Sequence, residues 1–241
     1  MMINLKKTVN KHLVIFAKRL VPALMALVAV NAQHAHATST TYDFYRITNN
    51  SSLSVGNQVG SQLSMTVEQA TNGAIFKFYN NVGVKSSITD IYFDDMWPTL
   101  FQSIGMYADS GGGVSFDSSA SPTNLPGGNT ISFHADWSGD SDSKSTYNGV
   151  KTSGTMENGI NKLDEWVSFF GLWANSGSFG GLIDALNNSN FRVGLHVQAI
   201  GDTGTSDSYV NQLNPVPLPA AVWLFGSALM GFVVLSNRRK V

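Results

Sequence analysis

Apolar and polar residues alternate along several short segments in the middle of the chain. The clearest segments are residues 62–67, 74–79, 87–93, 131–135 and 191–200. Alternation with a period of two is typical of strands that bury one face in an antiparallel sheet. Turn-forming residues separate these segments, for example at 71–73 and 201–204. The pattern predicts a mainly β domain, an antiparallel β-sandwich of the jelly-roll type.

One region follows a different spacing. Between residues 160 and 173 the apolar positions recur mostly at three and four residues, and residues 182–186 repeat this spacing briefly. The positions concerned in the first segment are Leu163, Trp166, Val167, Phe169, Phe170 and Trp173. This spacing predicts one or two short helices, inserted between strands or covering an open end of the sandwich, with their aromatic residues in the core.

The C-terminal segment has the pattern of a membrane span. Residues 216–235 are predominantly apolar and carry no charge, and a helix of about 20 such residues can cross the hydrocarbon core of a bilayer. The basic cluster Arg238, Arg239 and Lys240 follows directly and would stay on the cytoplasmic side. Residues 215–241 are therefore predicted to hold a transmembrane helix, with the preceding domain on the far side of the membrane.

The N-terminal segment has the pattern of a secretory signal. Five basic residues precede an apolar stretch at 20–30, and Ala35 and Ala37 are small residues at the two positions that a signal peptidase reads. We predict a cleaved signal peptide at residues 1–37 and a mature chain that begins at Thr38. The domain at 38–214 would then be exported.

Charge is distributed unevenly along the chain. All 16 acidic residues lie between Asp43 and Asp207, whereas 8 of the 15 basic residues lie in the two terminal segments. The domain at 38–214 thus has 7 basic residues against 16 acidic ones, a formal net charge of −9. Such a charge argues against nucleic-acid binding, which needs clustered Lys and Arg. The chain has no cysteine, so disulfides and thiol chemistry are excluded.

The C-terminal segment also resembles a known sorting signal. The motif Pro217-Leu218-Pro219, the apolar run at 220–232 and the basic cluster at 238–240 resemble, in this order, the PEP-CTERM protein-sorting domain of Gram-negative bacteria. Leu218 stands where glutamate is usual in that family. The resemblance implies handling by an exosortase, a membrane enzyme thought to cleave or transfer at this motif. It also implies a role linked to exopolysaccharide, biofilm or floc formation.

Residues that could carry catalysis are few. The predicted mature domain has two histidines, His134 and His196, both on predicted strands. His134 and Asp136 would share a strand face, and with His196 or Glu165 they could assemble a metal site or a Ser-His-Asp arrangement. No nucleophile-elbow or zinc-helix motif supports either site. The sequence therefore favours structural histidines and predicts no catalytic residue.

Acidic residues form two clusters whose function the sequence leaves open. The residues are Asp90, Asp94 and Asp95 in the first cluster, and Asp136, Asp140 and Asp142 in the second. Their oxygens could converge on calcium, although neither spacing matches an EF-hand loop. A glycosidase would need two of these carboxylates close together in a cleft. Solvated carboxylates in turns are the favoured interpretation, so no cofactor is predicted and calcium stays an alternative.

The tryptophans allow a further alternative. Exposed indole rings stack on sugars, whereas buried ones fill the core, and the latter is more common. The leading hypothesis is a non-enzymatic envelope or matrix protein that signal peptidase and an exosortase process. It would be anchored in the inner membrane first and then reach the cell surface or the medium, with exopolysaccharide as a partner. The alternatives are a carbohydrate-binding module or a secreted glycosidase. The candidate rings belong to Trp97, Trp137, Trp166 and Trp173.

Overall fold

A computed structural model describes residues 39–96, 99–141, 146–147, 150–151, 156–175 and 177–213. The first seven strands are β1 (Ser39–Arg46), β2 (Leu63–Ala70), β3 (Gly73–Asn80), β4 (Ser87–Asp95), β5 (Phe101–Asp109), β6 (Asp117–Ser118) and β7 (Trp137–Asp140). The remaining strands are β8 (Thr146–Tyr147), β9 (Val150–Lys151), β10 (Trp166–Trp173), β11 (Phe191–Ile200) and β12 (Thr205–Asn211). The helices are α1 (Leu53–Gln62) and α2 (Phe179–Asn188).

Ten of these strands form one antiparallel sheet in the order β5-β10-β3-β2-β1-β12-β11-β4-β7-β6, and β8 pairs with β9 separately. Strand β1 belongs to both halves of the sheet. Its first part, residues 39–43, pairs with β2, and its second part, residues 44–46, pairs with β12. The end strand β5 also approaches β6 and β7, so the sheet nearly closes into a barrel.

Aromatic side chains fill the space between the two halves of the sheet. Phe93 of β4 lies 5.3 Å from Phe76 of β3 and 5.4 Å from Phe169 of β10, measured between ring centroids. Phe101 of β5 lies 5.4 Å from Phe191 of β11. All five rings are at most 1% exposed. These contacts join strands that lie far apart in the order of the sheet, and they form the main core.

The predicted fold class is confirmed as mainly β and antiparallel, with two helices. A jelly roll has two separate sheets. Here β1 joins the two halves into one sheet, because its first part pairs with β2 and its second part pairs with β12. The predicted helix at 182–186 is confirmed within α2. Ser178 caps its N-terminus by accepting a hydrogen bond from the backbone N–H of Gly181 at 3.2 Å.

The predicted helix in the region 160–173 is wrong, since residues 166–173 form strand β10. This strand pairs with β3 on one side and β5 on the other. Val167 and Phe169 point into the core, whereas Trp166 and Phe170 lie on the outer side. Because both faces carry apolar residues, the apolar positions fall at spacings of three and four that imitate a helix.

Two further elements differ from the sequence expectation. The predicted strand at 131–135 is wrong, because a single 3-10 turn at Gly128–Ile131 leads into a loop and β7 begins only at Trp137. Helix α1 was not predicted. It contains two glycines, Gly56 and Gly60, which lower helix propensity and weaken the sequence signal.

The terminal segments lie outside the described residues. This holds for the predicted signal peptide at 1–37 and for the predicted transmembrane helix within 215–241. Among the helices that are described, none is long and apolar enough to cross a membrane. The domain itself begins with β1 at Ser39, and its last strand ends at Asn211.

Candidate functional site

The outer side of strands β3, β10 and β5 carries a group of aromatic residues. In β3, Phe76 and Phe78 are fully buried in the core, so the alternate residues Ile75, Lys77 and Tyr79 point outward. Register pairs Trp166 with Tyr79, which places these two rings side by side on that outer surface. We call this surface the aromatic face and define it by Ile75, Lys77, Tyr79, Tyr107, Trp166 and Phe170.

Lys77 lies in the middle of the aromatic face. Its Nζ is 3.8 Å from the centroid of the Trp166 ring and 5.3 Å from that of Tyr79. Both distances are within the range of cation–π attraction. Within the described residues Lys77 forms no ion pair with a carboxylate. Its ammonium group therefore keeps hydrogen-bond donors for a ligand.

The other end of the aromatic face has open space above Gly105. The Phe170 ring lies over Gly73, where an added Cβ would come within 2.5 Å of the ring. Phe170 pairs with Gly105 on β5, and an added Cβ at Gly105 would meet no atom within 4 Å. Tyr107, which is 60% exposed, stands beside Phe170 with 6.0 Å between ring centroids. Gly105 thus leaves open space on the outer side of β5, next to the strand position of Phe170.

A second candidate lies on the other half of the sheet. Register places five polar residues in one line across β12, β11, β4, β7 and β6, and directly paired residues share a face of a sheet. We call this line the polar row: Ser208, His196, Asp90, Asp140 and Asp117. Asp90 and Asp140 are fully buried, whereas Asp117 is exposed. Two carboxylates thus face each other inside the protein.

His196 is the basic partner of this row. Its Nδ1 lies 2.9 Å from Oδ2 of Asp90, and the hydroxyl of Thr89 donates to the same oxygen at 2.8 Å. Burial, and then the charges of Asp90 and Asp140, raise the pKa of the nearby Tyr92 hydroxyl. The pairing with His196 offsets part of the cost of burying the Asp90 carboxylate.

The order Ser208, His196, Asp90 is that of a catalytic triad, but its geometry does not activate a nucleophile. Ser208 is 1% exposed, and its Oγ has no hydrogen-bond partner among the described residues. A serine nucleophile needs a hydrogen bond to its base and access to a substrate. The arrangement therefore does not support a hydrolase.

We expect that replacing Ser208 with alanine leaves the free energy of unfolding unchanged or raises it by up to about 1 kcal/mol, because a buried hydroxyl without a partner is removed. Urea unfolding measures this change. Ser51→Ala is the matched control, since the Ser51 hydroxyl donates to Asp207, and it should destabilise the protein by about 1–2 kcal/mol. An equal loss in both variants would contradict the assignment.

The first acidic cluster predicted from sequence is divided among different contacts. Asp94 forms an ion pair with Arg192, whose Nε lies 3.1 Å from Oδ2. The same guanidinium donates to the carbonyls of Ile131 and Ser132, so it fixes the loop before β7. His134 lies exposed in that loop and contributes its backbone N–H to Asp94. It therefore does not join His196 in a site.

The carboxylates of Asp95 and Asp136 also accept hydrogen bonds from backbone N–H groups. Asp95 accepts hydrogen bonds from the backbone N–H groups of Leu100 and Phe101 at 2.9 Å, and Asp136 accepts one from the N–H of Asp95 at 2.8 Å. Burial is the largest influence on the pKa of Asp95 and raises it above its usual value. The charges of Asp136 and Asp94 act in the same direction, whereas the two N–H groups oppose it. Asp95 thus fixes the start of β5, and Asp136 fixes the end of β4.

The sequence did not single out Asp207, whose carboxylate has five partners among the described residues: the Thr48 hydroxyl, the backbone N–H groups of Asn50 and Ser51, the Ser51 hydroxyl and the Arg46 guanidinium. Its carboxylate accepts hydrogen bonds from the hydroxyl of Thr48 at 2.8 Å and from the backbone N–H of Asn50 at 2.9 Å. It also accepts from the N–H and hydroxyl of Ser51 and lies 3.5 Å from Nη1 of Arg46. Burial alone would raise the pKa of Asp207, but these hydrogen bonds outweigh it and lower the pKa. Asp207 thus connects β12 with the segment between β1 and α1.

The predicted tryptophans have different environments. Trp137 and Trp173 pack against the core, and the Trp173 ring stacks on Phe101 at 4.6 Å. Trp166 belongs to the aromatic face, and Trp97 lies outside the described residues. Trp166 is therefore the one described tryptophan that the structure places beside other outward-facing aromatic rings.

The remaining predicted residues do not form a site with the histidines. Glu165 accepts hydrogen bonds from the backbone N–H groups of Asn161 and Lys162 and stabilises the turn before β10. Within the described part of the chain, no three acidic or histidine side chains are arranged to hold a metal ion, and Asp142 lies outside that part. Also outside it are the predicted sorting and processing residues Ala35, Ala37, Pro217, Leu218, Pro219, Arg238, Arg239 and Lys240.

Comparison with protein-family models, with curated proteins and with solved structures finds no match to this chain.

Proposed function

We propose that this chain is an exported, non-enzymatic protein of the cell envelope or extracellular matrix, processed at both ends. The observation that carries the proposal is the order of the Pro217-Leu218-Pro219 motif, the uncharged apolar run and the basic cluster at 238–240. Alternating prolines keep a backbone extended, and an extended backbone fits the cleft of a processing enzyme. The apolar run has the length of a membrane span, and the basic cluster retains it there.

The limits of the folded domain are compatible with both cuts. Cleavage after Ala37 would leave β1 whole, because this strand begins at Ser39. Cleavage at the proline motif would leave β12 whole, because it ends at Asn211. Each described strand and helix would remain in the processed product. This compatibility supports the proposal that the domain functions after release from both terminal segments.

The charges of the domain support an extracytoplasmic location. Its two arginines, Arg46 and Arg192, form ion pairs with Asp207 and Asp94. Each pair uses one positive and one negative charge, so the formal net charge of −9 remains, which favours solubility and disfavours nucleic-acid binding. The carboxylates of Asp94, Asp95 and Asp207 bond to backbone groups or basic side chains of the protein, as expected for a structural role.

The mass of the native product tests the proposal. We expect protein from the cell envelope and the medium to begin at Thr38 and to lack part of the segment 215–241. Exchanging both Pro217 and Pro219 for alanine should leave the C-terminal segment attached and retain the protein in the membrane. Pro215→Ala lies outside the motif and should be processed normally.

Intact-mass spectrometry of the envelope, medium and cytosol fractions determines both termini of the protein in one measurement. Full-length protein that is soluble in the cytosol, with both ends uncut, would contradict export. Normal processing of the Pro217/Pro219 variant would contradict recognition of the motif, while leaving export itself in place.

A further inference from the structure

The aromatic face is not needed to complete the core. The interior of the domain already holds its own closely packed rings, including Phe76, Phe93 and Phe169. The rings on the outer side are partly exposed, and that of Tyr107 is 60% exposed. Exposed aromatic rings that lie together on one surface indicate a binding site.

The shape of the aromatic face suits a flat, extended ligand. Trp166, Phe170 and Tyr107 lie on two neighbouring strands, and with Tyr79 they extend over three strands, about 10 Å across at ordinary strand spacing. The Phe170 ring lies down over Gly73, and the space above Gly105 on the neighbouring strand is open. A surface of this kind contacts a chain of rings better than a compact molecule, which needs an enclosed pocket.

The chemistry of the face combines apolar rings with a donor. Sugar rings present C–H groups on their faces and hydroxyl groups at their edges. The aromatic rings can contact the C–H groups, and Nζ of Lys77, which has no carboxylate partner among the described residues, can donate to the hydroxyls.

The net charge of the domain distinguishes between three possible ligands of the aromatic face: a second copy of the chain, a polyanion and a neutral polymer. A second copy of the chain would bring together two domains of formal net charge −9, which repel each other. A polyanion would be repelled in the same way. A neutral polymer experiences no such repulsion. We therefore propose that the aromatic face binds a neutral β-linked polysaccharide chain, laid across strands β3, β10 and β5; the biological setting of this binding rests on the proposed export.

Binding is tested with the purified full chain in neutral detergent micelles. The probes are hydroxyethyl cellulose in affinity electrophoresis and cellohexaose in calorimetry, with polygalacturonate as the anionic probe. We expect the two neutral probes to bind and polygalacturonate not to bind. Gly105→Gln should project a side chain from the aromatic face into the space that the ligand would occupy, and weaken cellohexaose binding more than tenfold. Tyr107→Ala should weaken it about three- to tenfold, because one stacking ring is lost.

Two matched variants control for general effects. Gly180→Gln makes the same substitution in α2, where an added Cβ also meets no atom within 4 Å. Leu53→Ala removes an apolar side chain that is 70% exposed, at the start of α1. Both should bind like the unaltered protein.

The proposal fails if the folded protein binds neither neutral probe, or if Gly105→Gln binds as well as Gly180→Gln. It also fails if polygalacturonate alone binds, or if sedimentation shows a dimer that Gly105→Gln dissociates, since the face would then contact a second copy. These results are independent of where the cell places the protein, so a failure here is separable from a failure of the export proposal.

Discussion

Replacing Asp207 with alanine is expected to lower the free energy of unfolding by about 3–5 kcal/mol, because it breaks a buried ion pair. The carboxylate is fully buried and faces Arg46, whose side chain is 5% exposed. Its removal would leave the guanidinium of Arg46 without its charged partner. It would also leave the hydroxyl of Thr48 and the backbone N–H of Asn50 without an acceptor.

Urea unfolding of the purified protein measures this effect, with Asp202→Ala as the matched control. Asp202 is exposed in the turn between β11 and β12, and its removal should change the free energy of unfolding by less than about 0.5 kcal/mol. Equal stability of the two variants would show that the buried contacts of Asp207 contribute little.

The same residue predicts a dependence on pH. Because the pKa of Asp207 is lowered in the folded state, its contribution to stability is present above the usual pKa and is lost as the pH falls through the folded-state pKa. The unaltered protein should therefore lose more stability than Asp207→Asn on acidification below about pH 4. Unfolding curves at several acidic pH values would show this as a smaller slope in the variant, and parallel slopes would refute it.

The second large effect is expected in the aromatic core. Phe93 is fully buried and contacts Phe76 and Phe169 across the two halves of the sheet. Phe93→Ala should lower the free energy of unfolding by about 3–5 kcal/mol, because it removes buried apolar surface and leaves a cavity. Tyr107→Ala removes an exposed ring and should cost less than about 1 kcal/mol.

Both variants are compared by urea unfolding and by near-ultraviolet circular dichroism, which reports the packing of aromatic rings. If Phe93→Ala were no less stable than Tyr107→Ala, the two halves of the sheet would not be held together by this cluster.

Strands with regular alternation were predictable from the sequence, since β2, β3, β4 and β11 each contain a segment that the pattern identified. Strand β10 was not, because Trp166 and Phe170 make its outer side apolar as well. The same residues explain why the aromatic face was recognised only in part. Alternation assigns residues to two sides of a strand, but it does not say which side faces solvent when both are apolar.

The polar row could not be predicted from the sequence either. It joins Ser208, His196, Asp90 and Asp140 through the register of four strands, and register between distant segments depends on the packing of the whole sheet. In the sequence, nothing distinguishes Asp207 from other acidic residues that lie near turns. Its importance arises from the backbone N–H groups of Asn50 and Ser51, which only the fold brings to it.

The antiparallel pairing of β1 with β12 has a mechanical consequence. The backbone N–H of Gln212 donates to the carbonyl of Asp43 at 2.8 Å, so the chain enters and leaves the domain at the same end of the sheet. Tension between the two chain ends would peel these strands apart and break their hydrogen bonds one after another. The domain would consequently resist stretching from its ends less well than stretching that makes neighbouring strands slide.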